Sequence, residues 1–368
     1  VLLSACRRTM SFPTWVLLFL NVQCLAAVHA NWMYLGVVGV APQVSVTEKA
    51  AQKNKDTCTT LPGLNKAQIE LCSTFPDTMK AVSDGARRGI MECQYQFRNE
   101  RWNCSTLHEK SVFGYTLQRG SRETAFIYAV TSAGVVHSVT QACSSGNLTE
   151  CGCDLGKEGR ETPQGWKWGG CSDNLRYGTH FAARFVDAPD SYKVEKSKSF
   201  RSFMNLHNNQ AGRESISHLM RMQCRCHGVS GSCELKTCWR TMPTFGVVGD
   251  YLKEKYENAI QWPRGKKKRL KRKSRVKRRN QLEKTDLVHI HKSPNYCVED
   301  PKKGIPGTVG RVCNKTSRLS DGCNLLCCGR GYNTRVVKHM ERCQCKFLWC
   351  CSVKCKTCIS EIDVHTCK

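Results

Sequence analysis

The sequence predicts an α+β, disulfide-rich fold: an N-terminal helical-bundle domain with a projecting disulfide-stapled hairpin, and a small C-terminal β-ribbon domain held by cystines. The 26 cysteines among 368 residues are many for a chain of this length and are typical of proteins that fold in an oxidising compartment. Apolar residues recur with a helical period in the first two thirds of the chain. Residues 297–368 combine dense cysteines with little helical periodicity, so disulfides must replace a large apolar core there.

Residues 1–30 are predicted to be a secretory signal peptide. Arg7 precedes an apolar stretch that begins at Trp15, and small residues end the segment, as is typical before a cleavage site. No later stretch reaches the length of about 18 apolar residues that a membrane span needs. Cys6 and Cys24 lie in this segment, so 24 of the 26 cysteines would remain after cleavage and allow up to twelve disulfides.

Residues 31–262 are predicted to form the helical domain. A helical region is expected from Cys58 to Arg101, with one apolar stripe at spacings of three and four residues. The stripe consists of Met79, Val82, Ala86, Ile90, Cys93 and Phe97. The segment from Arg122 to Cys143 is apolar nearly all round, which is typical of a helix at the centre of a bundle. Further helices are predicted at Asn174–Val186, Phe200–Met222 and Phe245–Ile260.

Four cysteines bracket a short loop between the last two predicted helices, within residues 224–238. Pairing Cys224 with Cys238 and Cys226 with Cys233 would give two nested rungs of a tight hairpin. We favour this pairing because a disulfide needs Cα atoms about 4.4–6.8 Å apart, which facing positions of a ribbon supply. The crossed pairing is also possible, since sequence alone does not fix connectivity.

Ser230 lies at the tip of this hairpin, between Gly228 and Gly231, which allow the backbone to turn with positive φ. The residue types leave three interpretations open: an ordinary turn residue, a hydrolase nucleophile, or an exposed hydroxyl that carries a modification. The hydrolase interpretation is weak, because Ser232 replaces the last glycine of the G-x-S-x-G pattern. In addition, no Asp-then-His pair follows in hydrolase spacing.

Residues 263–296 are predicted to be a basic interdomain linker. Between Arg264 and Arg279 twelve of sixteen residues are Lys or Arg and none is acidic, a composition that repels itself and stays disordered. The net charge of +27 indicates a polyanionic partner. Because the predicted signal peptide directs the chain out of the cell, we expect heparan sulfate proteoglycans or a membrane surface as that partner, and no nucleic acid.

Three N-glycosylation sequons begin at Asn103, Asn147 and Asn314, and such sites are typical of surface loops in secreted chains. Asn103 is the weakest of them, because Cys104 inside its sequon is expected to form a disulfide.

The C-terminal segment contains a predicted ribbon formed by Tyr332–Val337 and Glu341–Val353. At its expected end lies the run Phe347-Leu348-Trp349, which is too apolar for a bare hairpin tip and suggests a binding site. Composition alone also allows these side chains to tuck into the small domain. Zinc binding is a weak interpretation of the cysteines, because no unit with fixed spacing repeats.

The stretch from Cys224 to Trp239 closely resembles the signature of the Wnt family of secreted signalling proteins, Cys-x-Cys-His-Gly-x-Ser-Gly-Ser-Cys-x-x-x-Thr-Cys-Trp. Other stretches that match the family pattern are Phe97–Cys104, Glu123–Ala129, Trp166–Asp173, Met204–Arg213 and Cys323–Cys358. In that family the serine that corresponds to Ser230 carries a palmitoleoyl chain, attached by the acyltransferase Porcupine. The resemblance therefore implies a lipidated ligand with no enzymatic activity and no cofactor beyond the covalent palmitoleate.

The resemblance also implies two elements that grip the cysteine-rich domain of Frizzled receptors, with the acyl chain in a groove of that domain. The implied receptor-binding residues are His227, Gly228, Val229, Ser230, Gly231, Ser232, Phe347, Leu348 and Trp349. Implied partners are an LRP-type co-receptor at another face and Wntless in the secretory pathway. The resulting signal controls development, cell fate and proliferation. The alternative is a heparin-binding structural protein of the extracellular matrix, which explains the cysteines and the basic linker but not the stapled serine tip.

Overall fold

The computed structural model describes residues 31–40, 57–106, 112–197, 199–262 and 282–368, so the predicted signal peptide and the most basic part of the predicted linker lie outside the described residues. The longer N-terminal part contains α1 (Leu35–Val38), α2 (Lys66–Thr74), α3 (Pro76–Phe97), α4 (Gly114–Arg119), α5 (Arg122–Ser144), α6 (Leu175–Val186), α7 (Ala188–Ser197), α8 (Phe200–His218) and α9 (Phe245–Glu257). Its strands are β1 (Lys167–Trp168), β2 (Arg221–Cys226), β3 (Lys236–Thr241), β4 (Ile260–Gln261) and β5 (Val288–His289). The C-terminal part contains β6 (Val312–Cys313), α10 (Cys323–Leu326), β7 (Tyr332–Leu348) and β8 (Ser352–Cys367).

Helix α5 is the centre of the bundle, and α3, α6, α8 and α9 pack around it. It is buried on nearly every side, which confirms the expectation for this apolar helix. Gly85 of α3 and Gly134 of α5 let the two backbones approach closely, since a Cβ added at Gly134 would lie 2.2 Å from the Gly85 carbonyl oxygen. Small residues at this crossing therefore set the separation of the two longest helices.

The predicted stripe of α3 is fully buried, and it ends at Phe97, whose ring contacts those of Trp102, Phe126 and Tyr256. The single helical region expected from Cys58 is divided instead. Helix α2 ends at Thr74 and α3 begins at Pro76, because proline fits the first turn of a helix but not its interior.

Two other predicted helices end earlier than expected. The one predicted to reach Met222 ends at His218, and Arg221 already begins β2. The one predicted to reach Ile260 ends at Glu257, because Ile260 pairs in parallel with Val288 to form the small β4–β5 sheet. In the first case the strand that follows is exposed, with Met222 53% exposed, whereas in the second Ile260 is half-buried in the small sheet.

Part of the segment predicted as linker is packed structure. Leu287 and Val288 are fully buried. Asn208 of α8 binds the backbone of Val288 twice: its Nδ2 donates to the Val288 carbonyl and its Oδ1 accepts from the Val288 N–H, both at 2.9 Å. The stretch around β5 therefore belongs with the helical domain and does not connect the domains freely.

The C-terminal domain is a three-stranded sheet in the order β6-β8-β7, in which β7 and β8 form a long antiparallel ribbon. The predicted pairing of Tyr332–Val337 with Glu341–Val353 is wrong, because both segments lie mostly in β7 and their partner is β8. Its small core consists mainly of half-cystines around Leu326. Arg311 joins the domain to the end of α3, because its guanidinium donates to the carbonyl oxygens of Arg98, Glu100 and Arg101. These carbonyls lie just beyond the last residue of α3, so the arginine fixes the chain where it leaves the helix.

Eleven disulfides hold the described residues, one fewer than the largest number that the sequence allows. The Cys-x-Cys cysteines all take part in them, as do Cys355 and Cys358. Cys350 and Cys351 are the described cysteines outside these bridges, and they are adjacent in the turn of the ribbon. The cysteines thus serve as cross-links along hairpins and loops.

Candidate functional site

The hairpin of β2 and β3 stands out from the helical domain, and its first strand is exposed from Arg221 to Arg225. Cys224 faces Cys238 in the register and is bonded to it, while Cys226 is bonded to Cys233 nearer the tip. The structure thus contains the nested pairing. Two successive cross-links limit the motion of the tip relative to the shaft.

Backbone hydrogen bonds close the tip at the inner cross-link, Cys226–Cys233. The His227 N–H donates to the Leu235 carbonyl at 2.7 Å, and the Gly228 N–H donates to the Ser232 carbonyl at 2.9 Å. The Ser232 N–H donates a hydrogen bond to the Val229 carbonyl at 3.1 Å. The six-residue loop therefore has one defined backbone path.

Ser230 occupies the apex of this path in the left-handed region, with φ 56° and ψ 25°. Few residues other than glycine adopt this region, so the surrounding loop must hold the serine there. The side chain is exposed, its hydroxyl makes no hydrogen bond to the described residues, and its neighbour Val229 is 89% exposed. The structure thus presents an unhindered primary alcohol at the end of a rigid projection.

Ser232 has a different environment from Ser230. A Cβ added at Gly228 would lie 2.0 Å from the Ser232 Oγ and 2.6 Å from its carbonyl oxygen. Both serines are exposed, but the hydroxyl of Ser232 lies against the bare backbone of Gly228. The two serines of the loop are not equivalent for an incoming enzyme.

Among the described residues, Ser230 has no hydrogen-bonded base of the kind that a hydrolase nucleophile needs. The Nε2 atom of His227 is 2.6 Å from the Thr237 Oγ1, so this imidazole braces the shaft of the hairpin. None of the hydrogen bonds among the described residues joins Ser230 to a histidine or a carboxylate. A serine without a positioned base is not an activated nucleophile.

The base of the hairpin rests on Asp173, which the sequence analysis named only as the end of a stretch that matches the family pattern. Its Oδ2 accepts from the Met242 N–H at 2.7 Å and from the Thr241 hydroxyl at 3.2 Å, and its Oδ1 accepts from the Ser144 hydroxyl at 2.5 Å. Strand β1, just before it, pairs in parallel with β3. One carboxylate therefore links α5 to the point where the hairpin leaves the bundle.

His137 of α5 makes a second anchor at the same place. Its Nδ1 accepts from the Arg88 guanidinium at 3.0 Å, so its Nε2 carries the proton and donates to the Pro243 carbonyl at 3.0 Å. Burial lowers the pKa of His137, which favours this neutral form. This role of His137 had no signal in the sequence, because one of its two partners, Pro243, lies more than a hundred residues further along the chain.

The second predicted element, the end of the β7–β8 ribbon, is also exposed. Phe347 is 70% exposed, Leu348 is 47% exposed and Trp349 is 94% exposed. Phe347 pairs with Val353 and Leu348 with Ser352, so the apolar side chains stand on the last rungs before the turn. They do not tuck into the small domain, and the alternative left open by composition does not hold.

The three predicted sequons differ in accessibility. Asn147 and Asn314 are exposed on loops, whereas Asn103 is half-buried and precedes Cys104, which is bonded to Cys93. The accessible pair are therefore the better candidates for glycans.

Comparisons with known proteins agree with these features. The profile of the family described as "wnt family" matches residues 60–368. Protein Wnt-16 of Mus musculus is 51% identical over 348 residues, covering 92% of this chain and 93% of the relative. Protein Wnt-2b of Homo sapiens is 46% identical over 346 residues, covering 93% of this chain and 84% of the relative. Among solved structures, the complex of human WLS with WNT8A matches with a TM-score of 0.57 and 36% identity, covering 79% of this chain and 94% of that chain.

Proposed function

The chain belongs to the Wnt family, and from this membership we propose that it is a secreted ligand that carries palmitoleate on Ser230 and binds Frizzled receptors through its two exposed tips. Wnt proteins are secreted signalling ligands and not enzymes. Among the described residues no helix is long and apolar enough to cross a bilayer. The acyl chain on Ser230 is the proposed attachment to membranes.

The observation that carries this proposal is the position of Ser230, an exposed alcohol on a cross-linked apex with no base beside it. Such a residue suits an acyltransferase, here Porcupine, because the enzyme can approach the hydroxyl from outside the loop. A sixteen-carbon chain that enters an apolar groove gains about 0.8 kcal/mol per buried methylene, or on the order of 10 kcal/mol. A protein hot spot contributes about 2–4 kcal/mol, so the lipid dominates the interface.

The end of the ribbon is the proposed second contact with the cysteine-rich domain of Frizzled. Trp349 and Phe347 are exposed aromatic side chains, the type that most often anchors protein interfaces. Two separate contacts on one receptor domain bind as a clamp, and the intervening helical domain sets their distance. His227, Gly228, Val229, Gly231 and Ser232 would shape the first contact around the lipid.

The remaining proposed partners follow from the family. The relative WNT8A was solved in complex with human WLS, which supports Wntless as the carrier of this chain in the secretory pathway. An LRP-type co-receptor would bind a different face, and the basic residues 264–279 would retain the protein on heparan sulfate proteoglycans. The resulting signal would act in development, either through β-catenin or by another branch.

Mass spectrometry of the peptide that contains Ser230 tests the proposal. Protein secreted from cells that express Porcupine should carry palmitoleate on Ser230, and Ser230→Ala should abolish both the adduct and binding to the Frizzled domain. Ser232→Ala is the matched control and should keep the adduct. An unmodified peptide from secreted protein that still binds heparin would favour the matrix protein instead.

A further inference from the structure

We propose that the hairpin carries a second membrane-binding element, a cationic collar that binds the anionic headgroups of a phospholipid bilayer. The collar consists of Arg221, Arg225, Lys236 and Arg240. The proposal rests on the proposed acylation of Ser230, since the acyl chain would bring the collar to the surface. The collar would hold the shaft upright at the headgroups while the tip enters the hydrocarbon.

The register of the hairpin places these cations on both of its faces. Residues directly opposite each other share a face. Arg221 and Arg225 lie opposite Thr241 and Thr237, whereas Lys236 and Arg240 lie opposite Cys226 and Met222. On each strand the two cations are four residues apart, or about 13 Å along the shaft. The charge therefore surrounds the shaft and does not form a one-sided patch.

The collar cations are free to bind an external anion. Arg221, Arg225 and Arg240 are exposed, and Lys236 is half-buried. Within the described ranges none of the four forms an ion pair with a carboxylate, in contrast to Lys253 and Lys255 of α9, which each contact two acids. Glu234, on the tip side of the collar, is the single acidic residue between 221 and 241.

Apolar and aromatic residues along the hairpin follow the order of a membrane leaflet. Val229 at the tip is 89% exposed and Leu235 below it is 53% exposed. Trp239, opposite Gln223, and Trp168, paired with Cys238, are half-buried between the two levels of cations. Tryptophan favours the bilayer interface, where its ring lies at the level of the headgroups. From the tip towards the base, the hairpin thus presents the acylated serine, then apolar side chains, and then tryptophans with arginines and a lysine. This is the order of a leaflet from hydrocarbon to headgroups.

The chemistry of membrane attachment gives this collar a purpose. A single acyl chain binds a bilayer reversibly, and stable anchoring needs a second signal such as a cluster of basic residues. Anionic phospholipid is the occupant that fits, because it supplies negative headgroups and hydrocarbon at the spacing that the hairpin displays. A sulfated polysaccharide would satisfy the cations alone and would leave Val229 and Leu235 in water.

Vesicle flotation of the full secreted chain tests the collar. The variant Arg221→Gln with Arg225→Gln is compared with a control of equal charge change, Lys315→Gln with Arg318→Gln, whose residues are exposed on the C-terminal domain. On vesicles of phosphatidylcholine with roughly one quarter phosphatidylserine, the collar variant should bind about 30-fold more weakly than the wild type. The control variant should bind like the wild type, because it keeps all four collar cations. Both variants keep every other basic segment of the chain.

The salt and lipid dependence give further readouts. The difference between the variants should vanish on pure phosphatidylcholine and shrink as ionic strength rises. Brominated acyl chains should quench tryptophan fluorescence of the wild type, and less so with Trp239→Phe. Equal binding of both variants to phosphatidylserine vesicles would overturn the proposal. So would a collar variant that loses affinity for heparin but not for these vesicles, since that result assigns the cations to a polysaccharide.

Ser230→Ala separates this proposal from the proposed function. If Ser230 is not acylated, wild type and Ser230→Ala will bind pure phosphatidylcholine vesicles equally, whatever the collar does. In the Ser230→Ala background the collar substitutions should still weaken the residual binding to phosphatidylserine. If the collar substitutions cause no loss of vesicle binding in the Ser230→Ala protein, that result would count against the collar and would leave the conclusion about acylation unchanged.

Discussion

Gly228→Ala tests whether the closed loop selects Ser230 for acylation. The added methyl group would lie 2.0 Å from the Ser232 Oγ, which can rotate away, and 2.6 Å from the Ser232 carbonyl oxygen, which cannot. That carbonyl accepts the hydrogen bond from the Gly228 N–H that closes the tip. The backbone of the tip must therefore shift, and the left-handed conformation of Ser230 loses its support.

The size of the effect follows from the cost of overpacking. Inserting a methyl group without space typically costs about 1–3 kcal/mol. This cost falls on the loop alone, because the Cys226–Cys233 bridge separates the tip from the shaft. The population of the native tip should fall about 5- to 150-fold relative to open conformations. Thermal unfolding of the helical domain should be unchanged, since the loop adds nothing to its core.

The assay is the fraction of secreted protein with palmitoleate on Ser230, measured when Porcupine is limiting. We expect this fraction to fall several-fold in Gly228→Ala. Gly152→Ala is the matched control, because Gly152 also lies between cysteines but a Cβ there meets nothing within 4 Å. Full acylation of Gly228→Ala under these conditions would refute the reasoning that the loop geometry presents the serine.

Three further predictions concern other parts of the chain. Trp349→Ala should leave stability unchanged, because the side chain is 94% exposed, and should weaken binding of the Frizzled domain by about 2–4 kcal/mol in a titration. Leu319→Ala is the control, because Leu319 is 74% exposed elsewhere on the surface, and it should not weaken this binding. Equal effects of the two substitutions would exclude the ribbon tip as a contact. Burial lowers the pKa of His137, so below pH about 6.5 the unfolded state takes up a proton that the folded state resists, and the free energy of unfolding should decrease between pH 7 and 5. Denaturation of His137→Gln should show a weaker pH dependence over that interval, and an unchanged slope would contradict the assignment. Gly134→Ala should lower the free energy of unfolding by about 3 kcal/mol or more in a denaturant titration, since its Cβ would lie 2.2 Å from the Gly85 carbonyl oxygen. A loss below about 1 kcal/mol would contradict this, because it would mean that α3 and α5 can separate at little cost.

Local patterns predicted the elements that bury a continuous face. The stripe that ends at Phe97 and the apolar helix α5 are both confirmed, because in each the period of three and four residues is sufficient to identify the buried side. The break before Pro76 was missed although proline is visible in the sequence, since the same residue is compatible with the start of a new helix.

Features that depend on distant partners could not be predicted. Val288 looks like part of a polar connection until Asn208, eighty residues earlier, supplies both hydrogen bonds of its backbone. The role of Asp173 depends likewise on Met242 and Ser144, which no spacing rule connects. The long family signature was enough to single out Ser230 as the candidate, whereas the left-handed conformation of this residue became visible only in three dimensions.

The most direct measurement compares the affinity for a purified Frizzled cysteine-rich domain before and after the secreted protein is enzymatically stripped of its acyl chain. Both samples come from one preparation, and the intact mass reports how completely the chain was removed. If the lipid on Ser230 supplies most of the binding energy, the stripped protein should bind at least about 1,000-fold more weakly. Affinity that is unchanged after complete removal would contradict the account.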